Sequence, residues 1–307
     1  MAKISVMTPV YFNEQSIQPL FVELTKVERA LEARGHTLEL VFVDDGSGDN
    51  SLVELLKVKE QREATKIIKL TRNFGAMSAS RAGYRFVTGD CVVGLAADLQ
   101  DPPELIIPMV EKWEAGAKFV LCARTHRNDP LSTRWTSAFY YWLLRLFVTP
   151  HYPKRGFDLA LMDKRMMPYI QNAGKHINLP LLEYWLGFKP EIIYYERQSR
   201  QHGKSRWSFA KKLKVSFDSI LGFSILPIRL ISLVGFIISL LSFGYGSLVI
   251  VSTLMGRAEV PGFATIVALV SFLLGLVIVM LGIIGEYLWR IYDETNQRPG
   301  AVIDEIY

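Results

Sequence analysis

Apolar residues follow two rhythms along the first part of this chain. Short, nearly unbroken runs lie at Ile4 to Val10, Leu38 to Val43, Lys66 to Leu70, Cys91 to Leu95 and Phe119 to Cys122. Runs this short read as strands buried on both faces, whereas recurrence every three or four residues reads as amphipathic helix. The helical rhythm holds from Ile17 to Ala33, where Leu20, Leu24, Val27 and Leu31 share a face and Gly35 suits the C-cap. Asp49 or Asn50 can cap a second helix to about Lys59, a third covers Ala76 to Phe86, and a fourth runs from Pro103 to Ala115 with proline at its opening. Strand and helix alternate with short links, which predicts a parallel sheet with helices on both faces.

Beyond residue 124 the rhythm loosens. Thr133 to Val148 reads as an aromatic-rich helix, Asn178 to Trp185 as another, and Glu191 to Arg197 as a strand. From Trp207 to Leu226, Phe209, Leu213, Phe217, Ile220 and Ser224 share one face, with Lys211, Lys214 and Asp218 on another. That pattern suits a helix lying in a membrane interface, or one docked on a domain surface. Two stretches without a charged residue follow, Leu230 to Gly256 and Val260 to Gly285. Each exceeds the roughly 20 residues a membrane helix needs. Only Arg257, Ala258 and Glu259 separate them, so they predict a tight hairpin with both ends on one side.

Composition sharpens this picture. The chain has 307 residues, half of them hydrophobic, and a net charge of +5. Its cations gather before the first apolar stretch (Lys204, Arg206, Lys211, Lys212, Lys214, Arg229), and Arg290 and Arg298 follow the second. The positive-inside rule places the N-terminal domain and the C-terminus in the cytoplasm. Cations clustered there suit anionic lipid better than nucleic acid. Met1-Ala2-Lys3 leads straight into a strand without a signal peptide. Cys91 and Cys122 fit reduced core positions, with no zinc-like spacing. The expected organisation is a catalytic domain over 1–205, an interfacial helix over 206–228, a transmembrane hairpin over 229–286 (about 230–255 and 262–285) and a cytoplasmic tail over 287–307.

The chemistry gathers at strand ends. Leu95-Ala96-Ala97-Asp98-Leu99-Gln100-Asp101-Pro102-Pro103-Glu104 follows the fourth strand, where open α/β sheets bind ligands. A carboxylate beside an amide oxygen suits Mg²⁺ or Mn²⁺ carrying a nucleoside diphosphate. Asp44-Asp45-Gly46-Ser47 ends the second strand, where carboxylates can accept from a nucleobase or ribose. Arg124, Arg127 and Arg134 follow the fifth strand and can bind phosphate oxygens bidentately. The loop holding Arg197, Arg200, His202, Gly203, Lys204, Ser205 and Arg206 suits a lipid phosphate. Gly203-Lys204-Ser205 lacks the preceding glycine and strand of a P-loop.

These motifs together resemble family 2 glycosyltransferases of the polyprenyl-phosphate branch, which includes bactoprenol glucosyltransferases, dolichol-phosphate mannose synthases and aminoarabinose transferases. The resemblance covers nearly the whole chain. It rests on Phe12-Asn13-Glu14, Asp44-Asp45-Gly46-Ser47, Arg72-Asn73-Phe74-Gly75, the Asp98 stretch, Gly156-Phe157-Asp158-Leu159-Ala160-Leu161-Met162-Asp163 and the Arg200 to Arg206 loop. It implies a GT-A type, Rossmann-like catalytic domain, with nucleotide contacts from Pro9, Tyr11, Asn13, Glu14, Asp44, Asp45, Arg72, Gly75, Ala97 and Asp98. Asp98 and Gln100 would hold the metal, and Asp98, Arg124, Arg134 and Asp158 would act on the reacting groups. Arg200, His202, Lys204, Ser205 and Arg206 would take the acceptor phosphate. The implied reaction is inverting transfer from a UDP-sugar, UDP-glucose favoured, to undecaprenyl phosphate at the bacterial inner membrane, feeding cell-envelope glycosylation such as that of lipopolysaccharide O-antigen. A homo-oligomer, often a tetramer, is also implied.

One position departs from the pattern: Ala96 stands where the family carries the first Asp of its metal motif. The metal then binds through Asp98, the diphosphate and water, or the sequence is an engineered inactive variant, or the chain is a non-catalytic relative that binds nucleotide sugar at the membrane. A two-helix transport subunit with a regulatory domain would leave the acidic rim unexplained.

Overall fold

The two rhythms become the expected elements. Up to Arg124 the chain forms β1 (Lys3–Val10), α1 (Ile17–Glu32), β2 (Thr37–Asp44), α2 (Ser51–Gln61), β3 (Lys66–Leu70), α3 (Ala76–Tyr84), β4 (Cys91–Gly94), α4 (Ile106–Glu114) and β5 (Phe119–Arg124). Then follow α5 (Leu131–Phe147), β6 (Leu159–Asp163), α6 (Met167–Gln171), α7 (Leu179–Trp185), β7 (Pro190–Tyr195), α8 (Phe209–Phe223), α9 (Leu226–Leu254), α10 (Phe263–Thr295) and β8 (Ile303–Ile306). The computed structural model describes residues 1–125, 131–154, 156–197, 209–255 and 262–307. Two compact units result: one holds Met1–Gly222 and Pro299–Tyr307, the other Phe223–Arg298.

The first unit is built on one sheet of order β7-β5-β6-β4-β1-β2-β3-β8. Strands β4, β1, β2 and β3 run parallel, and β5 and β7 pair in parallel. Two strands break the all-parallel expectation. β6 lies antiparallel between β4 and β5, and β8 pairs antiparallel with the outer edge of β3. Successive strand residues face opposite sides, so each strand serves two cores. Leu38, Leu40 and Phe42 pack with Leu20, Leu24 and Val27 of α1, while Val41 and Val43 pack with Ala79 and Ala82 of α3. This double burial is why the strands read as continuous apolar runs.

At the N-terminal edge of the sheet, buried Glu39 ties three elements together. It accepts from Ser5 Oγ at 2.6 Å, Thr88 N at 2.7 Å and Lys66 Nζ at 3.0 Å. Burial pushes its carboxyl up, but the bonds from Ser5, Thr88 and Lys66 outweigh that and hold it down at about 2.

The C-terminal residues, expected only as a tail, complete the sheet. Ile68 faces Ile306 across the β3–β8 ladder, Thr71 N donates to Val302 O at 3.0 Å, and Tyr307 packs on the α1-side core. Lys69 meets Asp304 at 2.6 Å. Asp304 and Glu305 leave charges on the new edge, which discourages pairing with another chain.

The second unit is a pair of long helices. Leu226–Val249 and Phe272–Thr295 are long and apolar enough to cross a membrane, and none of the most apolar part of either is buried. Met280 Cε approaches within 3.0 Å of where a Cβ on Gly235 would stand, and Tyr287 Oη donates to Ser224 O at 3.1 Å. Helix α10 runs through Glu286 and Arg290, past the charge-free stretch. The residues 256–261, holding the expected Arg257-Ala258-Glu259 turn, lie outside the described residues.

Candidate active site

The chain leaves β1 toward β2 on one side and returns to β4 on the other, so strand order reverses at β1. Open α/β sheets bind ligands outside the strand ends at such a switch point. The expected acidic segments flank it, with Val10 opposite Asp44 and Met7 opposite Gly94.

Three loops on the β1–β3 side are locked together through backbone groups. Phe12 takes a left-handed conformation (φ 56°), and its N donates to Ser47 Oγ at 3.1 Å. Asn13 Oδ1 accepts from Tyr11 N at 3.0 Å, and Glu14 Oε2 accepts from Asn50 N at 3.1 Å. Asp44 and Asp45 are 1% and 2% exposed. Asp44 accepts from Ser47 N at 3.3 Å, whereas Asp45 takes Phe74 N at 2.7 Å and Gly75 N at 2.9 Å. Asp45 therefore braces the Arg72–Gly75 loop at the start of α3. Burial raises the carboxyls of both aspartates, against the Ser47 hydroxyl and backbone bonds that lower Asp44 and the Phe74 and Gly75 backbone bonds that lower Asp45. The loops touch at Gly46 (φ +65°), where a Cβ would lie 2.5 Å from the Arg72 carbonyl carbon. Arg72 stays exposed, its guanidinium 4.1 Å above the Phe74 ring. Pro9 is half-buried at the end of β1, and the rings of Tyr11 and Phe12 meet edge to face.

After β4 the chain alternates between inward and outward positions. Leu95, Ala97, Leu99 and Asp101 are buried, Asp98 and Gln100 are half-buried, and Ala96 is exposed. Leu99 is left-handed (φ 56°), and Gln100 N donates to Asp98 Oδ1 at 3.3 Å. Strain of this kind collects at functional loops. Asp98 and Gln100, both half-buried, carry hard oxygen donors, and the side chain of Ala97, between Ala96 and Asp98 in sequence, is buried. Among the described residues no group of three or more His, Cys, Asp or Glu forms a ready-made metal cage. A site of two oxygen donors fits a cation that keeps water and takes phosphate oxygens, as Mg²⁺ does.

The opposite side of the edge is held by side chains. Arg124, at the end of β5, donates from Nε and Nη2 to the two carboxylate oxygens of Asp158 at 2.6 and 2.5 Å. Tyr195 stands opposite Arg124 in the β5–β7 register. Its phenol donates to Asp101, and its oxygen lies 3.1 Å from Asp158 Oδ2. Arg197 Nε is 3.0 Å from Asp101 Oδ1, and its Nη1 is 3.9 Å from Asp158 Oδ1. Burial raises the Asp101 carboxyl, with Arg197 opposing that shift. For Arg124, burial lowers the guanidinium, and the bond to Asp158 outweighs it and raises it overall.

The expected residues are thus partly brought together. Arg134 lies in α5, and its side chain is outside the described residues, as are Arg127, Arg200, His202, Lys204, Ser205 and Arg206. Sequence reasoning missed the roles of Asp101, Tyr195 and Arg197. The one local signal was an acid at an inward position directly before Pro102-Pro103.

A mainly parallel sheet with one antiparallel strand inserted, acidic at one strand end and cationic at the next, is a GT-A-like fold. The Glycosyl transferase family 2 model matches residues 5–173. An uncharacterized glycosyltransferase of Synechocystis is 32% identical over 307 residues, covering 99% of this chain and 96% of that protein. The bactoprenol glucosyl transferase of Shigella phage SfX is 32% identical over 305 residues, covering 98% of each. Among solved structures, a mannosyltransferase of Pyrobaculum calidifontis in complex with GDP-Man and Mn²⁺ is 17% identical, with a TM-score of 0.44, covering 65% of this chain and 58% of that one. The chain belongs to glycosyl transferase family 2 and is a transferase.

Proposed function

We propose that the protein transfers a hexose from a nucleoside diphosphate sugar, UDP-glucose favoured, to polyprenyl phosphate at the cytoplasmic face of a bacterial inner membrane. The observation that carries this reading is the end-to-end likeness to a bactoprenol glucosyl transferase, with the apolar helix pair within the matched length. Both neighbours of the helix pair in sequence belong to the sheet-bearing unit, which suits an even number of crossings with both termini cytoplasmic. The proposed spans are about 230–255 and 262–285, with α8 in the interface. Helix α5 adds to this, because Phe139, Trp142 and Leu146 are exposed along one face. The proposed assembly is a homo-oligomer, a tetramer by family resemblance.

The acceptor needs no general base, since a phosphate monoester with a second pKa of about 6 is already mostly a dianion near neutral pH. Its oxygen forms the new bond to the anomeric carbon. The bond from that carbon to the diphosphate breaks, the leaving group keeps the electron pair, and the configuration inverts. Asp98 and Gln100 would hold Mg²⁺ or Mn²⁺, which supplies charge compensation to the leaving diphosphate. Arg124, and Arg134 by resemblance, bind phosphate oxygens, Asp158 orients Arg124 and the donor sugar, and the loops braced by Asp45 seat the nucleotide. The Arg200–Arg206 loop receives the lipid phosphate.

Ala96 supports a second reading, a nucleotide-sugar-binding protein without turnover. Ala96 is exposed two residues before Asp98, so an aspartate there would be open to solvent beside the proposed metal ligands. The test is transfer of radiolabelled glucose from UDP-glucose to undecaprenyl phosphate by this chain and by Ala96→Asp. Label in the lipid with both establishes transfer with one aspartate. Label with Ala96→Asp alone marks this chain as disabled at the metal site. Nucleotide binding with no label from either variant, across other nucleotide sugars too, favours the binding protein.

A further inference from the structure

One oxygen joins helix α8 to two other helices. Ser219 in α8 is polar and fully buried (0% exposed). Its hydroxyl donates to Val215 O, one turn back, at 2.7 Å. A serine hydroxyl has one hydrogen and two lone pairs, so its other partners must donate to it. Asn178 Nδ2 does so from 2.9 Å, and Tyr140 Oη, at 3.0 Å, has a hydrogen to give. Asn178 is also the N-cap of α7, where its Oδ1 accepts from Leu181 N at 3.3 Å. Tyr140 belongs to α5. A single saturated hydroxyl thus ties α5, α7 and α8 together, and all three of these residues lie in the sheet-bearing unit.

Apolar contact also joins α8 to this unit: Ile177 Cδ1 lies 3.6 Å from where a Cβ on Gly222 would stand. Such contact is non-directional and tolerates sliding, whereas hydrogen bonds are lost with small changes of distance or angle. A slip of one residue turns an α-helix by about 100° and moves it by about 1.5 Å. It would set Ile220 against two unmet donors, or bury the carboxylate of Asp218. The shared hydroxyl therefore fixes the register of α8. That helix leads into α9, whose apolar stretch opens at Leu226, and the acceptor of the proposed reaction is itself a lipid. The nucleotide loops have their own bracing, from Ser47 to Phe12 and from Asp45 to Phe74 and Gly75.

We infer that Ser219, Asn178 and Tyr140 are positioning residues for the lipid acceptor: they fix the register of α8 on α5 and α7, on which polyprenyl phosphate binding depends and nucleotide binding does not. The inference rests on the acceptor named in the proposed function.

The experiment is calorimetric binding to the full-length protein in detergent, first of undecaprenyl phosphate, then, with Mg²⁺, of whichever of UDP or GDP the wild type binds more tightly. Ser219→Ala is expected to weaken the lipid about tenfold, and Tyr140→Phe and Asn178→Ser about threefold each, the range of ordinary hydrogen bonds. Serine at 178 still caps α7, so that variant separates the tie to α8 from the cap. Nucleotide affinity is expected to stay at the wild-type value in all three. In the Ser219→Ala background, Tyr140→Phe is expected to have no further effect on the lipid, and full additivity would overturn the inference. Unchanged lipid affinity in Ser219→Ala would overturn it too, as would equal weakening of lipid and nucleotide, the mark of a purely structural role. Sugar transfer is measured beside binding. The expected pattern without transfer by either the wild type or Ala96→Asp would sink the proposed function alone. Transfer with unchanged lipid affinity in Ser219→Ala would sink this inference alone, and a wild type that binds no undecaprenyl phosphate, or neither nucleotide, would remove both.

Discussion

The two sides of the ligand edge solve the same problem differently. On the β1–β3 side, Asp45 is held by main-chain N–H groups of Phe74 and Gly75, and Asp44 by the main chain and hydroxyl of Ser47. On the β4–β7 side, Asp101 and Asp158 are held by Arg124, Tyr195 and Arg197. Backbone donors cannot leave without unfolding a loop, so the first side is preformed. Side-chain donors can exchange partners, so the second side can change its bonding while the fold stays intact. Under the proposed function, recognition of the nucleotide would fall to the rigid side and the changing charges of transfer to the adaptable one.

The strongest way to break this division is at the junction. Asp98→Asn is expected to lower transfer by about a hundredfold or more, measured in whichever of this chain or its Ala96→Asp form is active, with little change in melting temperature. Loss of the fold instead would show that the loop after β4 belongs to the rigid side. Asp45→Asn comes next. An amide can accept from one of the two N–H groups of Phe74 and Gly75 but turns an NH₂ toward the other. Nucleotide affinity and melting temperature should both drop, by about 1–3 kcal/mol in stability. Retained affinity would remove the link between loop bracing and nucleotide seating.

A third test uses the far edge of the sheet as a control. The Glu39 carboxyl lies at about 2 in the folded protein, below its ordinary value of roughly 4.3. Its contribution is therefore present above that ordinary value and is lost as pH falls toward 2. Glu39→Gln should cost about 2–3 kcal/mol at pH 7, and the gap should close progressively in acid, as read by melting temperature across pH. Nucleotide affinity should not change, because Glu39 sits at the opposite edge from the ligand loops. The smallest effect is expected from Lys69→Ala: its pair with Asp304 is exposed, and no shift in melting temperature should be resolved.

Legibility in the sequence followed how local each cause was. The strands and helices up to Arg124 were readable because burial on two faces leaves long apolar runs, and α1 repeats its apolar face faithfully. Strand β6 was not, since the five residues Leu159–Asp163 are buried throughout and neither rhythm shows in so short a run. Strand β8, Ile303–Ile306, carries two acids and is exposed, so nothing local marked it as sheet. The site divided the same way. Asp98 and Arg124 stood at readable strand ends and Asp158 was reached through the resemblance of its segment, but the bond from Tyr195 to Asp101 depends on the pairing of β5 with β7. Asp45 was legible as a site residue and illegible as a brace, because its partners Phe74 and Gly75 come from the next loop.

The final strand also sets an order of events. The sheet begins with its central strand and ends with an edge strand made from the last residues of the chain, after both apolar helices. During synthesis the outer edge of β3 therefore stays open while the helices emerge, and it closes only after residues Ile303–Ile306 have been made. Pairing of β3 on its outer side thus follows the making of the helix pair, and a chain cut before β8 would carry an open sheet edge.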